Sequence, residues 1–164
     1  MVLGDTLGKA LALVLLALAA VLVVLVLRGR GSSGPAPRVL RASWTLTPGV
    51  LNPAVTESTL ASTICRHGWT RTVRPPVSYT NALKAKGLRE YRLRGPPSAF
   101  QEDHLISLEL GGDPVDPRNL WPEPYPRAAA VDKIENDLNH RVCTGSLSLA
   151  DAQRLESALK HRDG

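Results

Sequence analysis

Cysteine and histidine are scarce: the chain has 2 of the first and 4 of the second in 164 residues. Cys65 and Cys143 stand far apart and neither belongs to a CxxC pair, so the two cannot close a zinc site without borrowing histidines. They either pair as a disulfide or stay as two buried thiols. As a disulfide they close a loop of nearly eighty residues, worth about 4 kcal/mol in the chain-entropy model, and that bond persists only in an oxidising compartment. No internal repeat is present. A small-x-small cleavage signature is also missing behind the one long apolar run, which favours an uncleaved anchor over a removed leader.

That run is "ALALVLLALAAVLVVLVL", Ala10 to Leu27, without charge, Gly or Pro. As a helix it rises about 27 Å, close to the ~30 Å hydrocarbon core of a bilayer. The expectation is a single-pass membrane protein, with 1–28 as transmembrane anchor or signal-anchor and a lipid membrane as partner through residues 10–27. Residues 29–42 mix Gly, Ser, Pro and Arg and read as a flexible linker. A soluble domain then spans 43–164. Arg28, Arg30, Arg38 and Arg41 follow the run, whereas only Lys9 precedes it; this pattern places the domain in the cytoplasm. The cysteines argue for an extracytoplasmic domain, which is the preferred side.

Net charge is +5, and leaving out Lys9, Arg28 and Asp5 still leaves 18 basic side chains to 14 acidic ones. An anionic partner is therefore permitted.

Local patterns give an α+β domain. "NPAVTESTLASTIC" reads as a short helix running into Cys65, and "WTRTVRPPVSY", with two prolines, as extended chain or an edge strand. "TNALKAKGLREY" is a helix with Thr80 as N-cap and Gly87 as stop. "HLISLEL" alternates as a strand, "GGDPVDPRN" is a loop, and "NLWP" is a short second strand. Arg127 to Val142 is a helix with Val131, Ile134, Leu138 and Val142 toward the core and Asp132, Glu135 and Asn139 on a polar stripe. A last helix starts at Ser148, with Asp151 at capping-box distance and Leu155 and Leu159 as its apolar stripe. His67, His140 and His161 are read as solvated.

One stretch gathers chemistry: "EDHLISLELGGDPVDPRNLWPEPY", Glu102 to Tyr125. Its order of strand, glycine loop, short strand and helix resembles the ββα-metal, or HNH, endonuclease motif, over a core of 102–142. The whole chain is also similar to small bacterial secreted or anchored proteins that carry this signature. The resemblance implies a finger packed among short helices, with His104 as general base, Asn119 orienting it, and Asp103 as metal ligand. It implies a divalent cation, Mg2+ or Mn2+ first and Zn2+ as an alternative. The third element departs from the family: the positions where His or Asn is usual hold Arg127 and Ala128, and no CxxC zinc knuckle is present. Asp132 is the first choice for the missing ligand, then Glu135 and Asn139, with Glu102 in reserve. Strand neighbours face opposite sides, so Asp103 and His104 can reach one centre only at a strand end or a distortion.

The chemistry fits those residue types. A hard cation on oxygen ligands neutralises phosphoryl oxygens, and a histidine near neutrality takes a proton from water once its other ring nitrogen is held. Basic side chains are dense between Arg66 and Arg94, and Arg71, Arg74, Lys84, Lys86 and Arg89 are the candidates to follow a phosphate backbone. The expected function is a membrane-anchored, metal-dependent endonuclease that hydrolyses phosphodiester bonds, DNA foremost. The alternative is a catalytically inactive ββα-scaffold binding module, or a structural envelope domain, contacting an anionic polymer.

Overall fold

Thr56 begins the first regular element, because its side chain and that of Thr59 satisfy each other's backbone amides in a capping box. A single 3-10 stretch, Glu57–Ser62, follows and leads into Ile64 and Cys65. The computed structural model describes residues 40–162. Packing has begun by Ala42, which is buried and donates its amide to the Lys160 carbonyl.

Two helices come next: α1, Trp69–Val73, and α2, Val77–Glu90. Between them Arg74 and Pro76 are extended, Arg74 because a residue before a proline is steered away from the helical region and Pro76 as the N-cap of α2. The strand expected over "WTRTVRPPVSY" is therefore replaced by helix on both sides of the prolines. Gly87 does not end α2 but lies inside it. A Cβ there would come within 2.9 Å of Pro122, so glycine permits the helix to lie close against the second strand.

The finger is a two-stranded antiparallel ladder, β1 (Phe100–His104) against β2 (Leu120–Pro124), with His104 opposite Leu120 and Asp103 opposite Trp121. The strand expected at "HLISLEL" is thus displaced: the ladder ends at His104, and Leu108–Leu110 forms a 3-10 turn. Leu105, Ile106, Leu108 and Leu110 all turn inward, so their apolar pattern reflects a buried loop. Gly112 closes this loop; a Cβ on it would fall 1.8 Å from the Ile106 carbonyl oxygen. Helix α3, Tyr125–Cys143, backs the finger, and α4, Leu149–Arg162, lies beside it.

The core joins Val55, Ile64, Ile106, Leu110, Leu138, Val142, Leu149 and Ala152, and it is sewn by the disulfide Cys65–Cys143, whose Cα atoms lie 5.5 Å apart. A second cluster centres on Trp121, Leu105 and Ala42. Two expected helical stripes are corrected. On α3, Ile134 is exposed and Glu135 is buried; on α4, Leu155 is exposed while Ala152, Glu156 and Lys160 are buried. His161 is also buried, bonded to the Thr47 and Ser157 carbonyls and stacked on Trp44, rather than solvated. Ser148 and Asp151 form the expected cap of α4.

The domain is α+β with a small two-stranded sheet. The N-terminal transmembrane helix that was part of the expected fold class must be withdrawn from the description. No helix among the described residues is long and apolar enough to cross a membrane, and the run 10–27 lies outside them.

Candidate active site

Alternation along β1 sorts its polar side chains. Gln101 and Asp103 face a cavity of about 270 Å³, while Glu102 faces the opposite side, toward α2 and Tyr91. His104 reaches the same cavity as Asp103 because it is the last residue of the strand, where pleating no longer dictates direction. Helix α3 brings Asp132, Glu135 and Asn136 to this cavity, and Ser107, Glu109 and Arg74 complete its wall. Asp103, His104, Asp132, Glu135 and Arg74 thus line one cavity.

The His104 imidazole is buried, and its Nε2 lies 3.1 Å from the Pro114 carbonyl oxygen. That contact makes Nε2 the donor and leaves Nδ1 as the basic nitrogen. Burial lowers the pKa of His104 below its ordinary value. The Pro114 carbonyl and the Asp103 carboxylate oppose this, and Lys160 and Arg74 add to it. The neutral form, the one able to accept a proton, is therefore the resting form at neutral pH.

Asn119 does not orient His104 directly. Its fully buried amide receives the Ile106 N–H at 2.9 Å and donates to the Ile106 and Asp113 carbonyls, each at 3.0 Å. It staples the Gly-Gly loop shut, and Pro114, the residue after Asp113, supplies the carbonyl that holds the histidine. Asn139 likewise serves structure, donating to the Glu109 and Ile64 carbonyls. Glu102 is not in the cavity. Its carboxyl is pushed up to about 8, mainly by burial, against the pull of Lys84.

The decisive group was not anticipated from sequence. Lys160, fully buried on α4, sends its ammonium between the carboxylates: 2.6 Å to Glu135 Oε1, 2.9 Å to Asp103 Oδ2 and 3.4 Å to Glu156 Oε1, with the His104 carbonyl as a further acceptor. Glu156 is itself fixed by the Ser107 N–H, 3.0 Å from each of its oxygens. Three carboxylates keep Lys160 protonated despite burial, so its pKa rises. One ammonium cannot balance three buried negative charges, and burial accordingly raises Glu135, to about 9, and Glu156. Glu156 and Lys160 are an i,i+4 pair, which in sequence looks like any exposed helical ion pair.

No family model, curated protein or solved structure matches the chain. The site is therefore read from its own geometry.

A divalent ion does not fit the expected donors. Asp103 and Glu135 already hold the Lys160 ammonium, and burial holds the two other carboxyls of the cavity, Asp132 and Glu109, above the ordinary carboxyl range, away from the ionised form that a cation needs. Among the described residues no group of three or more His, Cys, Asp or Glu side chains converges as a metal site.

The basic candidates divide. Arg74 stands at the cavity, close enough to lower the pKa values of Glu109 and Asp132 against the burial that raises both. Lys84 instead donates to the Phe100 carbonyl, Lys86 pairs with Glu90 at 2.8 Å, and Arg71 and Arg89 are exposed on α1 and α2 away from the cavity. The larger groove beside α4, about 860 Å³, is mostly apolar, and its charged side chains among the described residues, Asp151 and Arg154, pair with each other.

Proposed function

We propose that this domain is an HNH-like hydrolase of phosphodiester bonds in nucleic acid, DNA foremost, in which His104 is the general base. The observation that carries the reading is the imidazole at the end of β1. Burial favours its neutral form, its Nε2 lies against the Pro114 carbonyl, and it is set in a cavity that also holds a cationic side chain, Arg74. Nδ1 takes a proton from a water that attacks phosphorus, the bond to the leaving oxygen breaks, and that oxygen recovers a proton from solvent. Arg74 offers charge to the phosphoryl oxygens. The Ser107 hydroxyl, buried without a hydrogen-bond partner among the described residues, offers a donor in the same wall.

The disulfide supports an oxidising compartment outside the cytoplasm for this domain, because thiols are kept reduced in the cytosol. A second reading, binding of an anionic polymer without cleavage, is favoured by the carboxyl-rich wall around Lys160, which would oppose deep entry of a phosphate. Incubating the purified full chain with supercoiled plasmid, with and without Mg2+ or Mn2+, separates them. Cleavage that His104→Ala removes supports the hydrolase; salt-sensitive binding without cleavage supports the second reading.

A further inference from the structure

The ββα resemblance asks for a divalent cation beside the Asp-His pair, and the place beside Asp103 already contains a positive charge. We propose that the Lys160 ammonium is the resident cation of this site, standing where the resemblance expects a metal, so that the native chain takes up no divalent ion between Asp103 and Glu135. The inference uses the ββα reading only to say where a metal would be expected; the lysine contacts stand without it.

Three features support it. First, the ammonium is surrounded by oxygens. Lysine offers three N–H donors and no acceptor; Asp103 Oδ2 and the His104 carbonyl accept from it, and Glu135 Oε1 stands 2.6 Å away as an ion-pair partner. A hard divalent ion chooses the same oxygen types, so both cations compete for the same atoms.

Second, the lysine is built in. Glu156, one turn earlier on α4, is clamped by the amide of Ser107, which stands between the end of β1 and the 3-10 turn Leu108–Leu110. Gln153 donates to the Leu110 carbonyl at 2.9 Å, and His161 meets the Thr47 carbonyl at 3.0 Å. Helix α4 is thus pinned on both sides of Lys160, and the ammonium has little room to withdraw. Third, a divalent ion entering beside a buried ammonium would meet like-charge repulsion where screening is weak.

The experiment measures ion binding and not cleavage. Mn2+ is titrated into the purified full chain and followed by electron paramagnetic resonance of free ion, in the native chain and in Lys160→Met, Asp103→Asn and Lys160→Met/Asp103→Asn. The native chain is expected to show no saturable binding that depends on Asp103. Lys160→Met, which exposes the same oxygens without the charge, is expected to bind Mn2+ at least tenfold more tightly than the native chain. Its melting temperature should rise by about 5 °C or more with the ion, and the double variant should lose both effects.

Should Lys160→Met not fold in ion-free buffer, refolding with and without Mn2+ gives the same information, because the expected site forms only with the ion. Saturable Mn2+ binding by the native chain that Asp103→Asn weakens tenfold would overturn the proposal. A Lys160→Met chain that folds and gains no binding would do so too. Neither result bears on His104 as a base, which the plasmid assay tests separately.

Discussion

Replacing Lys160 by methionine keeps an unbranched apolar chain out to Cε and removes the ammonium group with its charge and donors. In the native protein that ammonium faces Asp103, Glu135 and Glu156 in a region where Lys160 and Glu156 are wholly inaccessible to solvent. Removing one partner of a buried ion pair costs about 3–5 kcal/mol, because the remaining charge is left without compensation. Protonation softens the cost here, since burial already holds Glu135 and Glu156 above the usual carboxyl range. About 3 kcal/mol at pH 7 is the expected loss, or roughly 12 °C in melting temperature at about 4 °C per kcal/mol.

The dependence on pH has a defined sign. A carboxyl whose folded pKa is raised binds its proton more tightly in the folded chain, so its unfavourable contribution is absent below the unfolded pKa and grows as pH rises toward the folded one. Native chain and Lys160→Met should therefore both lose stability as pH rises from 4.5, and the deficit of the variant is read at pH 7. Urea unfolding of the full chain followed by tryptophan fluorescence, from pH 4.5 to 8.5 in chelator, measures it. A loss below about 1 kcal/mol at pH 7 would refute the idea that the ammonium balances these carboxylates.

Further outcomes follow from other contacts. Glu135→Gln should be nearly neutral at pH 7, within about 1 kcal/mol by the same unfolding assay, because the carboxyl it replaces is already held protonated. Glu102→Gln should flatten the fall of stability between about pH 4.5 and 8, where the folded carboxyl keeps its proton and the unfolded one loses it; one proton is worth about 1.4 kcal/mol per pH unit at most. Asn119→Ala leaves the Ile106 amide and two carbonyls without their partner and should cost about 3 kcal/mol, read from urea midpoints. Reducing Cys65–Cys143 should lower stability by about 4 kcal/mol, measured by unfolding with and without reductant.

How much of this could be read from sequence depends on whether local chemistry or tertiary contacts decided the outcome. The Gly-Gly loop, the second strand, the α3 helix and the Ser148 cap were legible because glycines, prolines and capping side chains act within a few residues. The prolines after Trp69 misled, since Pro76 stands as the N-cap of α2 and starts a helix instead of marking an edge strand. "HLISLEL" alternates like a strand, yet its apolar residues are buried by a loop that Asn119 fastens from across the finger. At the site, Asp103 and His104 came from the ββα resemblance, Asp132 and Glu135 from the polar stripe of α3, and Arg74 from a run of basic residues; the five line one cavity. Lys160 was not, because Glu156 and Lys160 form an ordinary helical i,i+4 pair until α4 packs them against Asp103 and Glu135.

Cleavage of supercoiled plasmid by the full chain and by His104→Ala is the most direct test of His104 as the base acting on a phosphodiester. Losing one positioned general base costs about 100-fold or more in rate. The native chain should nick the plasmid, and the variant should nick it at least that much more slowly while keeping its fold. Equal rates for the two proteins would contradict the assignment.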